Sequence, residues 1–135
     1  MRLSGIRLIT EVGEPVVNVG EKMVAEYVAE ATVEVSTPTF GLIVRGLDGS
    51  YLFDTNTLWR HQDTGTFRPG DKVLVRFDLQ ANLLPGMYTL TVAAANEDGR
   101  VAYDWHTDVI TFEVRGSTAS RGVVFMGGTP TIEAM

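Results

Sequence analysis

A two-residue hydrophobic period, broken at short intervals by turn signals, constrains this chain more than any other feature. Val73, Val75, Phe77 and Leu79 put apolar side chains on one face, while Lys72, Arg76 and Asp78 take most of the other. Tyr88, Leu90, Val92 and Ala94 alternate with Thr89, Thr91 and Ala93; Ile110, Phe112 and Val114 alternate with Thr111, Glu113 and Arg115. Successive side chains of a strand point to opposite faces, so this pattern sets one face on a core and the other toward water. Gly13-Glu14-Pro15, Gly20, Pro38, Asp48-Gly49, Pro69-Gly70, Pro85-Gly86, Asp98-Gly99, Gly116 and Gly127-Gly128 punctuate the runs. Gly accepts positive φ and Pro presets a turn corner. With 17 Val and 15 Thr the chain is rich in β-branched side chains that suit a pleated surface. Short strands with such turns imply an all-β sandwich or barrel.

Glu21 to Val35 fits two periods. As a helix it gathers Val24, Tyr27, Val28, Ala31 and Val35 on one face; as a strand it sets Met23, Ala25, Tyr27, Ala29, Ala31, Val33 and Val35 against Glu26, Glu30, Thr32 and Glu34. The strand is the expectation, because a lone long helix among strands would need a packing layer of its own.

With 135 residues and no internal repeat or linker, residues 1–135 read as one domain, long enough to bury a core without metal or disulfide staples. The lack of cysteine removes thiol catalysis and zinc–thiolate sites. A formal charge of −6 argues against a nucleic-acid partner, which would call for a basic patch. No apolar run is long enough to span a bilayer, and Met1-Arg2-Leu3-Ser4-Gly5 does not open an apolar leader. The nearest string to a phosphate-binding loop, Gly65 to Asp71, has Asp71 where the motif needs its lysine, so it reads as a turn. The two histidines, His61 and His106, lack metal-ligand spacing, and no serine sits in a Gly-x-Ser-x-Gly elbow. The expectation is a binding domain without catalysis, cofactor or metal.

Tyr51 to Asp63 carries rings, a guanidinium, carboxylates and amides within 13 residues, and Tyr103-Asp104-Trp105-His106 forms a second patch. Sugars are bound by this combination: an aromatic face covers the C–H surface of a pyranose while directed polar groups bond its hydroxyls. Trp59 is the expected stacking platform, with Asp54, Asn56, Arg60 and His61 as hydroxyl or terminal-group partners and Trp105 and His106 as secondary members. Strand alternation pairs Tyr51 with Phe53 and Tyr103 with Trp105, and Phe53 and Trp105 are expected in the core.

The ordered set Phe40-Gly41, Asp48-Gly49, Asn56-Thr57, Pro69-Gly70, Val73-x-Val75-x-Phe77, Leu83-x-Pro85-Gly86-x-Tyr88-x-Leu90, Tyr103-Asp104-Trp105, Phe112-x-Val114 and Gly122-Val123-Val124 resembles the C-terminal domain of the Wzt-type ATP-binding subunit of polysaccharide ABC exporters, from about Glu11 to Met126. That resemblance implies an immunoglobulin-like antiparallel β-sandwich of two sheets, which recognises the end of a lipid-linked O-antigen polysaccharide. It also implies a nucleotide-binding domain and a transmembrane subunit as partners, and a place on the cytoplasmic side of the inner membrane. No binding residue is carried over from the motif itself. A structural or dimerising sandwich, and an accessory module of a sugar-processing enzyme, are the alternatives.

Gly116 to Gly122 can act as a hinge before Val123-Val124-Phe125-Met126, an uncharged β-prone piece that is an aggregation hazard on an open edge. It can pair with its own sheet. Exchange of residues 122–128 with a second copy is the expected arrangement, which gives a homodimer.

Overall fold

The computed structural model describes residues 1–135. Its strands are β1 (Arg2–Ile9), β2 (Val16–Asn18), β3 (Lys22–Glu30), β4 (Val35–Ser36), β5 (Thr39–Gly46), β6 (Tyr51–Asn56), β7 (Thr66–Phe67), β8 (Lys72–Gln80), β9 (Gly86–Ala95) and β10 (Ala102–Arg115). They form a three-stranded sheet, β1-β3-β8, a five-stranded sheet, β2-β10-β9-β5-β6, and the small pair β4-β7. All pairings are antiparallel except β2 with β10. This is the expected immunoglobulin-like sandwich.

The strand reading of the ambiguous segment holds for Lys22–Glu30, which pairs residue for residue with Lys72–Gln80. Met23, Ala25, Tyr27 and Ala29 point inward opposite Leu79, Phe77, Val75 and Val73. From the other sheet come Leu42 and Val44, Leu90, Val92 and Ala94, and Phe112 and Val114, all buried. β1 adds Leu3, Ile6 and Leu8; positive φ at Gly5 and a register shift between Ser4 and Arg7 break its alternation.

Tyr27 ties the sheets together. Its ring lies between Phe40 and Phe77, with centroids 6.4 and 6.3 Å away. Its hydroxyl donates to Gly41 O at 3.1 Å, with Ala93 O as an alternative acceptor at 3.3 Å. Burial pushes this phenol far above its ordinary pKa. In the Leu83-x-Pro85-Gly86-x-Tyr88 stretch, the Tyr88 hydroxyl donates back to Leu84 O at 2.6 Å, which closes the bend that starts β9.

Glu26 faces away from the core yet is only 4% exposed, because its neighbours across both registers are Arg7 and Arg76. Arg7 Nε donates at 2.9 Å and Arg76 Nη2 at 3.0 Å. Those hydrogen bonds hold the Glu26 carboxyl below its usual pKa.

The sandwich is open on one side. β6 and β8 end their sheets without pairing to each other, and a cleft of about 580 Å³ separates them. Phe53 lies in this cleft, 43% exposed, which corrects its expected place in the core: an edge strand has no further strand to cover it. The C-terminal segment meets its own chain at the β8–β9 connection. Leu84 N–H donates to Val123 O at 2.7 Å and Phe125 N–H to Asn82 O at 3.1 Å.

Candidate functional site

The outer face of the five-stranded sheet carries a hollow of about 300 Å³, whose position follows from strand register. Asn56 on β6, Gly41 on β5, Ala93 on β9 and Trp105 on β10 stand in one row across four strands. Two small residues between two larger ones leave a depression, which Thr39 and Ala95 extend on the next pair. Asp54, Ile43 and Thr91 form a second row, and Tyr51, Arg45 and Thr89 a third. Beneath the floor, the Tyr27 hydroxyl holds the carbonyl side of Gly41.

Trp59 reaches the hollow from the turn after β6. Asn56 Oδ1 accepts the Trp59 N–H at 2.8 Å, and Gln62 N–H returns to Thr57 O at 2.9 Å. Asn56 therefore fixes the turn that presents the indole. Trp59 is 61% exposed and Trp105 48%. The expectation that Trp105 lies in the core is thus overturned: it occupies the solvent side of β10, opposite the buried residues of that strand. Asp98 and Gly99, in the β9–β10 turn, complete the rim.

Neither Lys nor Arg lines the hollow, whereas Asp54 and Asp98 do. Partial burial pushes the Asp54 carboxyl above its ordinary pKa. Two indole faces, a phenol, two carboxylates and an amide can cover an apolar ring face and accept hydroxyl protons.

The structure brings Trp59, Asp54, Asn56 and Trp105 together and separates the other named residues from them. Arg60 turns into the β6–β8 cleft, where its Nε donates to Thr55 Oγ1 at 2.9 Å. His61 sits at φ 53° in the exposed turn and lines neither cavity. His106 lies on the other face of β10, its Nε2 2.9 Å from Asp104 Oδ2. Asp104 Oδ2 also accepts the Leu3 N–H at 2.8 Å, so this pair fastens β1 to β10. Burial opposes ionisation of Asp104, but the bonds from Leu3 and His106 prevail and hold its carboxyl low.

Tyr51 lines the hollow and was missed by alternation. The β5–β6 register shifts between Val44 and Arg45, so Tyr51 pairs with outward Arg45 while Phe53 pairs with inward Val44. No residue type within 51–53 marks this bulge.

Comparisons with known proteins follow the same lines. The crystal structure of the C-terminal domain of wzt superposes with a TM-score of 0.83, at 18% identity over 95% of this chain and 81% of that one. An alkylpurine DNA glycosylase AlkC from Pseudomonas fluorescens (TM-score 0.53, 13% identity) matches 85% of this chain but 30% of its own. A β-glucosidase from Listeria innocua (0.51, 12%) matches 85% of this chain and 16% of its own. At these identities the likeness is one of fold. No curated protein matches the chain. The family model described as the Wzt C-terminal domain matches residues 1–126, from β1 through the C-terminal pairing segment, and the chain therefore belongs to the Wzt C-terminal domain family.

Proposed function

We propose that the outer-face hollow binds a sugar of the terminal part of a lipid-linked O-polysaccharide and so commits that glycan to export. Membership in the family gives the general role, carbohydrate binding in O-antigen export, by a domain distinct from the ATPase. The observation that carries the finer reading is the row Asn56–Gly41–Ala93–Trp105 with Trp59 beside it. A pyranose laid in the depression covers exposed indole; its hydroxyls donate to Asp54 or Asp98 and accept from Asn56 Nδ2. Selectivity then comes from which hydroxyls face the carboxylates, since a polar group left unpaired on binding is costly.

In this reading the domain works beside a nucleotide-binding domain and a transmembrane subunit, peripheral to the cytoplasmic face of the inner membrane. No helix of the chain is long and apolar enough to cross a bilayer. The domain acts as a homodimer that exchanges residues 122–128: Val123, Val124 and Met126 are 41, 58 and 88% exposed, so their own chain covers them poorly.

The test is titration calorimetry against the O-polysaccharide of the strain that encodes the chain, with an unrelated O-polysaccharide as control. Saturable binding at about micromolar to millimolar Kd, confined to the cognate glycan, is expected. Equal binding to both, or to neither, overturns the reading.

A further inference from the structure

Two strand irregularities on the outer face confront each other across β9. One is the β5–β6 shift that turns Tyr51 outward; the other is a β9–β10 shift between His106 and Ile110, where Asp108 adopts φ 49°. A non-glycine residue in that region is strained and persists only where its surroundings impose it. They do so here. Asp108 N–H donates to Thr91 Oγ1 at 2.9 Å, and the Thr89 hydroxyl donates to Asp108 Oδ1 at 2.7 Å. Arg45 Nη1 donates to both carboxylate oxygens at 3.2 and 3.3 Å, while its Nε donates to Gly49 O at 3.3 Å.

The core uses none of this. Arg45, Thr89 and Asp108 lie on the outer side of the sheet, and what they fix is the guanidinium, 5.7 Å from the centroid of the Tyr51 ring. Arg45 is 20% exposed and Tyr51 59%, so the ring is braced on one side and open on the other, where it lines the hollow. Along β5 the Tyr51 row, at Arg45, lies four residues from the Trp105 row, at Gly41, a separation of about 13 Å. Two linked pyranoses laid along the strands can reach from one row to the other.

We infer that Tyr51 is a second aromatic platform, held in place by Arg45 and Asp108, and that the site reads at least two consecutive sugar residues. This rests on the glycan-binding reading above. Arg45 and Asp108 are positioning residues; Tyr51 makes the contact.

The experiment measures Kd for mono-, di- and hexasaccharide fractions cut from the encoding strain's O-polysaccharide, with wild type, Tyr51→Ala, Tyr51→Phe and Arg45→Met. Wild type should gain affinity from monosaccharide to longer fractions. Tyr51→Ala should lose about 3- to 10-fold on the hexasaccharide and a smaller factor on the monosaccharide, so that the gain with length shrinks. Tyr51→Phe, which keeps the ring, should retain the gain, and Arg45→Met should lose part of it, with thermal midpoints confirming that all variants are folded. A wild-type Kd independent of length, or a Tyr51→Ala ratio equal to wild type, overturns the second platform alone. No binding by wild type to any fraction overturns the parent reading and this one with it.

Discussion

Replacing Trp59 with alanine separates a ligand platform from a structural residue. About two-fifths of the side chain is covered in the folded domain. For a Trp this is about 100 Å² or less, worth at most about 2 kcal/mol once the compactness of the unfolded chain is allowed for. The exposed remainder is about 150 Å², and a sugar stacked on one face covers about half of it, which gives about 1–2 kcal/mol of binding. Trp59→Ala should therefore weaken glycan binding about 5- to 30-fold while costing no more than about 2 kcal/mol in stability. Phe112→Ala is the calibrating contrast: that ring is 0% exposed, and its removal should cost about 3–5 kcal/mol. Calorimetric titration and urea unfolding on the same preparations give both numbers. If Trp59→Ala loses as much stability as Phe112→Ala, or binds glycan within twofold of wild type, the platform assignment is refuted.

Tyr27→Phe removes the inter-sheet hydroxyl without emptying the core and should cost about 0.5–1.5 kcal/mol in urea unfolding. Asn56→Ala frees the turn that carries Trp59 and should weaken glycan binding and blue- or red-shift indole emission, whereas Asn56→Asp keeps the acceptor and should restore the wild-type spectrum. The folded-state pKa of Glu26 is depressed by the bonds from Arg7 and Arg76, so its stabilising contribution is full above about pH 4.5 and is lost as pH falls through the lowered value; Glu26→Gln should flatten the acid arm of a stability–pH curve. Deletion of Arg121 to Met135 should convert a dimer into a monomer or an aggregating species by light scattering, and a dimer that persists unchanged places the contact elsewhere.

Much of the fold was legible because β8, β9 and β10 keep a two-residue apolar period along their inward faces, even where β9 is covered on both sides. β1 was not, since Gly5 and its bulge space the inward residues as 3, 6 and 8. The site was partly legible for a related reason. Trp59 follows a strand end among polar neighbours, which marks a presented ring. Tyr51 depends on a bulge that leaves no residue-type signature, and Trp105 on which face of β10 the partner sheet covers, a fact of tertiary packing. Arg60 and His61 share a turn with Trp59 but leave it in other directions, because side chains in an irregular turn follow no period.

The central claim is that glycan binds on the outer face of the five-stranded sheet, between Trp59 and Trp105. Titration of the isotope-labelled domain with the encoding strain's O-polysaccharide tests it by nuclear magnetic resonance, because the two indole N–H groups are the only ones in the chain. The account predicts that both indole resonances, with the amides of Gly41 and Ala93, shift saturably, while those of Val75 and Phe77 in the β6–β8 cleft stay fixed. Shifts confined to the cleft, or none at saturating glycan, would contradict it.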